Sequence, residues 1–410
     1  LVWGENIVHE EFGIGVYRGI EKTGGSDCIK IKYADGGSVF VPPHSFNRLH
    51  RLVGIKEGSV RLSSLGAGSW KRKKGEIKKH ARSIAKDLLK AHMLRQGSRG
   101  FVYQKKGAFY RAVCESFPFQ ETAGQGSALS DIDSDMEKDL PMDRMVCGDV
   151  GYGKTEIALR AAIRAVESGR VVFVMAPTTI LANQHYISFG RRLSPLGVNV
   201  ELLSRFRTKG EQTKTVEALA GGLVDVLVGT HRLMSENVYT ENLGLIVVDE
   251  EHRFGVKHKE KIKLLRPTVD VLTLTATPIP RTLKQSLVGL KNISNINTPP
   301  QSRRPIKTFL HYFDWKRIFN IIKREASRGG QVYFVNNNIE SLPFLVKKIK
   351  KKFPGLSAQI AHGKTKSKIL ESIMLGFFKN ETAVLCCTTI VGSGLDVPNA
   401  NSIIINNAVS

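Results

Sequence analysis

The sequence predicts a multidomain, mainly α/β protein: a small N-terminal β-barrel module, a basic linker helix, and two parallel-sheet lobes, the second incomplete. Three observations carry this reading. From about Phe109 onward, continuous apolar runs alternate with helical stretches, the pattern of strands buried on both faces and separated by helices. Thr298-Pro299-Pro300 divides those runs into two series. Ahead of them, the first fifty or so residues are short strands broken by glycine. The expected domain borders are 1–52, 53–106, 107–298 and 299–410.

Within the first module, Asn6–His9 and Val16–Gly19 flank Phe12-Gly13-Ile14-Gly15, while Cys28–Tyr33 and Ser38–Val41 flank Ala34-Asp35-Gly36-Gly37. The second flanked tetrapeptide is a hairpin turn, because Asp-Gly and Gly-Gly tolerate positive φ. A small bent sheet of this kind more often presents an edge to a partner than performs chemistry. Trp70 to Lys106 then carries thirteen Lys or Arg against Glu76 and Asp87. Ile77, Ala81, Ile84, Ala85, Leu88 and Leu89 recur there at helical spacing, giving one apolar face in a basic helix. A solvated linker helix and a contact with DNA or an acidic protein both fit this pattern.

In the first lobe the apolar runs are Arg144–Cys147, Val171–Ala176, Val198–Leu203, Asp225–Gly229, Leu243–Asp249 and Val269–Thr275. The second lobe offers Thr308–Tyr312, Gln331–Val335, Ala358–Ala361, Thr382–Cys387 and Ser402–Ile405. Its last strand stands almost at Ser410, and the chain starts on Leu, so an excerpt of something longer is expected.

Composition narrows the function classes. With 41% hydrophobic and 24% charged residues, wholesale disorder and a fibre are excluded. No apolar run approaches the ~18 residues of a membrane span, and Leu1-Val2-Trp3-Gly4-Glu5 lacks the basic and apolar regions of a signal peptide. Five cysteines without CxxC spacing argue against structural zinc and suit a reducing, cytoplasmic compartment. A net charge of +24 calls for a polyanionic partner, and nucleic acid fits better than a membrane surface, since no amphipathic anchor accompanies it.

Three motifs carry chemistry. Gly148-Asp149-Val150-Gly151-Tyr152-Gly153-Lys154-Thr155 matches GxxxxGK[ST] between an apolar strand and a helix. In that context Gly148, Gly151 and Gly153 let backbone amides close around phosphates, Lys154 reaches the β and γ phosphates, and the Thr155 hydroxyl binds Mg²⁺. Leu245–Val248 runs into Asp249-Glu250-Glu251-His252, acidic residues where α/β sheets bind ligand. Asp249 suits the magnesium carboxylate and Glu250 the base that activates water. Finally, Thr178, Thr230, His231, Arg232, Thr275, Thr277 and Arg281 cluster at strand ends, where hydroxyls and cations bind phosphate without reading bases. Helix capping explains any one of these threonines.

The order GDVGYGKTE, PTTILANQH, GTHRL, DEEHRFG, TATPIPRT, AHGKT and TTIVGSGLDVPNAN resembles the motif series of superfamily 2 helicases. The wording is most similar to the bacterial transcription-repair coupling factors, with the branch-migrating helicase RecG as nearest relative. Val8-His9-Glu10, Gly13-Ile14-Gly15, Tyr33-Ala34 and Val41-Pro42 resemble that family's RNA-polymerase-interacting module. The resemblance implies two RecA-like lobes and an ATP-driven double-stranded DNA translocase that displaces stalled RNA polymerase and recruits excision repair through UvrA. It implies ATP and Mg²⁺ as cofactors. It further implies adenine recognition by Phe117, Phe119 and Gln125, nucleotide contacts from Gly394 and Asp396, and DNA contact or coupling by Thr178, Gln184, His231, Arg232 and Arg281. Departures are Gly392 for an acidic residue, Ala123-Gly124 before Gln125, and the absence of the arginine-finger motif, a group worth about 10³–10⁵ in rate. A RecG-type branched-DNA helicase and a non-catalytic nucleotide- and polymerase-binding relic stay open beside the translocase.

Overall fold

A computed structural model describes residues 1–52, 60–65, 70–72, 74–76, 79, 93–250, 254, 267–276, 291–301, 303, 306–389 and 397–407. The chain forms two compact units, 1–90 and 91–410.

The first unit is a five-stranded antiparallel sheet of β1 (Asn6–His9), β2 (Gly13–Thr23), β3 (Ser26–Lys32), β4 (Ser38–Val41) and β5 (Leu49–Arg51), ordered β4-β3-β2-β1-β5. A 3₁₀ turn, Pro43–Arg48, carries the chain from one edge to the other. Among the described residues no ladder joins β4 to β5, and that turn bridges the two edges. The predicted break at Phe12–Gly15 is corrected: β2 begins at Gly13, which pairs with His9. Gly15 is small because a Cβ there would collide with the Ile31 side chain. The Asp35-Gly36 turn forms as expected, with Gly36 at φ +80° and the Asp35 carboxylate accepting from the Ser64 hydroxyl and the Leu65 amide. Ile7, Ile29, Ile31, Tyr33 and Val41 fill the interior. Residues 70–72, 74–76 and 79 are helical, Trp70 Nε1 donating to Glu10 O at 3.0 Å; most of the predicted linker helix lies outside the described residues.

The second unit holds two parallel sheets. The larger has the order β12-β6-β11-β10-β7-β9-β8. Its strands are β6 (Asp143–Gly148), β7 (Val171–Met175), β8 (Val200–Leu203), β9 (Val226–Gly229), β10 (Leu243–Asp249), β11 (Asp270–Thr275) and β12 (Asn292–Ile296). Around it run α1 (Ala108–Glu115), α2 (Ala123–Met136), α3 (Lys154–Glu167), α4 (Thr179–Leu193) and α5 (Lys209–Ala220). Apolar runs form strands here because both faces are covered. Val172, Val174, Leu245 and Val247 enter one core, while Phe173, Met175, Ile246 and Val248 enter the other. Each such side chain contributes roughly 1.5–3 kcal/mol by leaving water.

β12 was not among the predicted strands. Its sequence Asn-Ile-Ser-Asn-Ile has no continuous apolar run, and its buried Ser294 accepts from Arg144 Nη1 and donates to Asp131, a network completed by Arg144 and Asp135 at 2.7 Å. Polar pairing, not an apolar run, holds this edge.

The smaller sheet has the order β14-β15-β13-β16: β13 (Val332–Asn336), β14 (Ala358–Ala361), β15 (Val384–Cys387) and β16 (Ser402–Asn406). α6 (Trp315–Ser327) and α7 (Leu342–Lys352) share one core with Val332, Phe334 and Cys386, while α8 (Ser367–Phe378) shares the opposite one with Tyr333, Leu385 and Cys387. Cys386 and Cys387 thus face opposite ways, and burial pushes both thiols up to about 12, which makes them inert. The strand predicted at Thr308–Tyr312 does not form. That segment pairs with neither edge of the sheet, and Tyr312 is 99% exposed. Apolar composition supplied the pattern, but a strand needs a ladder partner.

At the opposite end of the larger sheet, Asp270 is buried and its Oδ1 accepts from the Met142 amide at 2.6 Å. Burial pushes Asp270 up to about 7, against the pull of that amide, Tyr103 and Arg95. The folded state therefore holds a proton that the unfolded chain releases near pH 4, and stability falls as pH rises from about 4 to about 7. Asp270→Asn keeps the acceptor for Met142 and should flatten that limb. Urea midpoints at pH 5 and pH 8 check it: the wild type should lose more between them than the variant.

Candidate active site

All pairings in the larger sheet are parallel, so the C-terminal ends of β6, β7, β9, β10 and β11 fall along one edge. β6 ends at Gly148, and Asp149–Gly153 turns the chain into α3 at Lys154. Gly151 and Gly153 sit at φ +78° and +80°, where an L side chain is strained. A Cβ on Gly153 would also overlap the Gln125 amide. Lys154 Nζ donates to Gly148 O at 2.6 Å and Asp149 O at 3.0 Å, folding its ammonium over the loop. Burial pushes this ammonium below its ordinary value, opposed by the carboxylates of Asp249 and Glu250. A cation partly stripped of water and bonded only to neutral carbonyls is poised to gain from an anion. Thr155 lies exposed on the first turn of α3, beside the helix N-terminus.

Facing this loop, Asp249 closes β10 and pairs in register with Leu274, while Thr275 pairs with Cys147. The next residue, Glu250, is 2% exposed and sits at φ +51°, its amide donating to Leu274 O at 3.0 Å. A left-handed glutamate costs about 1 kcal/mol or more and persists where surrounding structure fixes it, most often at functional sites. Asp249 Oδ2 lies 2.8 Å from His185 Nε2 on α4.

Among the described residues no group of three or more His, Cys, Asp or Glu could hold a metal by itself. The Thr155 hydroxyl and the Asp249 carboxylate are hard oxygen donors of the kind magnesium takes in ones and twos, with phosphate and water completing its shell. The donor set fits magnesium carried by a nucleotide better than a resident metal.

At the other end of the loop, Phe117 and Phe119 meet edge to face at 5.6 Å. Phe117 lies under the guanidiniums of Arg160 and Arg192, whereas Phe119 is 58% exposed and free to stack. Gln125 is buried on α2. Its Oε1 accepts from the Thr122 amide at 2.9 Å and its Nε2 donates to Tyr152 O at 2.9 Å. These bonds tie α2 to the phosphate loop.

The strand-end threonines divide. Thr178 caps α4 by accepting from the Leu181 amide, the structural role that any of them allows. Thr230 and Thr275 are buried at their strand ends, Thr230 preceding the 3₁₀ turn His231–Met234 without a side-chain capping bond; His231 is exposed, and Arg232 and Gln184 are half-buried. Thr277, Arg281, Gly394 and Asp396 lie outside the described residues.

Three family models match the chain: a CarD-like/TRCF RID domain over residues 1–53, a DEAD/DEAH box helicase over 122–286, and a helicase conserved C-terminal domain over 315–410. The transcription-repair-coupling factor of Bacillus subtilis (strain 168) is 42% identical over 409 residues, and that of Escherichia coli (strain K12) 41%. Each alignment takes in 99% of this chain. The chain is a homologue of the transcription-repair-coupling factors. It spans 35% and 36% of the length of those two relatives. RecG bound to a three-way DNA junction superposes with TM-score 0.65 at 26% identity, covering 92% of this chain and 58% of RecG. The DEAD-box helicase Mss116 bound to ssRNA and UDP-BeF, at TM-score 0.56 and 16% identity over 74% of this chain and 67% of its own, shares the fold. The DEAD/DEAH match makes the first lobe of this coupling-factor homologue a nucleotide-binding lobe.

Two features of the homologue's site were not legible in the sequence. Arg303, just past the Pro-rich hinge, donates to Asp149 Oδ2 at 2.9 Å and lies 4.9 Å from the centre of the Tyr152 ring. This guanidinium holds the Asp149 carboxyl below its usual range. His185 is the other. It stands in PTTILANQH beside Gln184, and the signal that could have found it is a histidine on the helix that follows β7, the strand next to β10.

Proposed function

We propose that the chain is the motor portion of an ATP-dependent double-stranded DNA translocase of the coupling-factor type, working with RNA polymerase through its N-terminal β module. The carrying observation is one sheet edge that brings the Lys154 loop, Asp249 and the left-handed Glu250 together. In this reading Lys154 binds the β and γ phosphates, Thr155 and Asp249 hold Mg²⁺, and Glu250 takes the proton of the attacking water. Bound magnesium supplies charge neutralisation on the phosphates. Phe117, Phe119 and Gln125 recognise the adenine, Phe119 by stacking, and Gln125 also fixes the loop that carries the phosphates. Gly394 and Asp396 reach the nucleotide from the second lobe. Thr178, Gln184, Thr230, His231, Arg232, Thr275, Thr277 and Arg281 meet DNA or couple it to ATP. Double-stranded DNA, RNA polymerase and, in the wider repair reaction, UvrA are the proposed partners.

The net charge of +24 supports a partner read through its phosphates. Binding of a plain duplex and of a three-way junction, each followed across salt concentration, tests the reading. Plain duplex should bind with a log–log slope steeper than about −3, the mark of three or more phosphate contacts. A flat slope contradicts backbone tracking. The likeness to RecG on a three-way junction supports a second reading, a branched-DNA helicase, and a strict requirement for the junction would favour it.

A further inference from the structure

His185 is the best-defined polar contact of the site that the proposed function leaves without a role. It sits on α4, 6% exposed, with Nε2 at 2.8 Å from Asp249 Oδ2. An ionised carboxylate can only accept, so Nε2 carries the hydrogen and donates it. Phe189, one turn further along α4, meets the imidazole edge to face at 6.2 Å between centroids and fixes the plane of the ring. Pairing with Leu274 of β11, and of the preceding Val248 with Met175 of β7, holds the Asp249 backbone, leaving the side-chain torsions as its freedom. A buried donor on one oxygen removes most of that freedom and leaves the other oxygen for a ligand. The same helix touches the second lobe: Thr179 Oγ1 donates to Glu371 Oε1 of α8 at 2.7 Å, and Ile180 packs against the core cluster that contains Tyr333, Val335 and Phe377.

We propose that His185 is a positioning residue that sets the Asp249 carboxylate for the magnesium–nucleotide complex and ties it to α4, the helix that meets the second lobe. The inference rests on the reading of Asp249 as the magnesium carboxylate. His185 acts through Asp249 and touches neither nucleotide nor water. Hydrogen-bond partners of metal-ligating carboxylates typically change metal affinity by about 10–100-fold when removed.

The test is the magnesium dependence of nucleotide binding, read by fluorescence of a methylanthraniloyl-ADP bound to the 410-residue chain at a series of Mg²⁺ concentrations. His185→Ala should raise the Mg²⁺ concentration at half-saturation about 10–100-fold, while affinity for the metal-free nucleotide stays at the wild-type value. His185→Leu, which fills the space without a donor, should behave like the alanine variant. His185→Gln, whose amide can donate to the same oxygen, should recover most of the loss. A packing role alone would instead lower metal-free affinity and thermal stability together, with leucine nearer the wild type than glutamine, and would overturn the proposal. So would a wild-type magnesium curve in both His185→Ala and His185→Leu. A wild-type chain that binds no nucleotide at all would instead remove the nucleotide-site reading on which the proposal stands.

Discussion

Lys154→Ala is expected to weaken binding of an ATP analogue by about 10²-fold or more while leaving the fold intact. The ammonium is partly buried, and its two hydrogen bonds go to carbonyls of the very loop that precedes it. Those carbonyls are weak partners for a charge held below its ordinary proton affinity by burial, and phosphate oxygens replace them with charge-assisted bonds. Truncating one side of such a pair costs about 2–5 kcal/mol, and 1.4 kcal/mol is tenfold in affinity. Asp149 is exposed and Gly148 half-buried, so the freed carbonyls can turn to water and the melting temperature should barely move. Equilibrium fluorescence titration and a thermal melt of the same preparation check both halves. Unchanged affinity in the variant would place the phosphates elsewhere.

Glu250→Gln should separate binding from turnover. The amide keeps the side chain's shape and the left-handed backbone, so analogue affinity should stay within about twofold of wild type. Proton abstraction needs the carboxylate, and a positioned general base contributes roughly 10²–10⁴ in rate. Single-turnover phosphate release in the presence of duplex DNA should fall by that factor. Retained turnover would show that the buried, strained Glu250 serves the loop's geometry alone and that another group activates water.

How much of this was legible depended on how local the signal was. The phosphate loop could be read because its glycines, lysine and threonine are contiguous, and the structure gives them the strand, turn and helix that the pattern requires. Asp249 and Glu250 were legible because an apolar run of fixed length delivers its next residues to the sheet edge. The polar strand β12 was not, since its stability comes from Arg144, Asp131 and Asp135, which are distant in sequence. Thr308–Tyr312 shows the opposite error: strand-like composition without a neighbour to pair with. Gln125 was singled out for a base, whereas its bonds to Thr122 and Tyr152, which tie α2 to the phosphate loop, were not foreseen. His185 was passed over because its significance lies in a contact across 64 positions.

The account turns on whether the loop ahead of Lys154 holds a nucleotide's phosphates with Thr155 and Asp249 beside them. Titration of the wild-type chain with a fluorescent ATP analogue, with and without Mg²⁺, measures this most directly. The account predicts a single saturable site, one nucleotide per chain, that tightens when magnesium is added. Folded protein whose signal never saturates, or saturates identically without the metal, would contradict it.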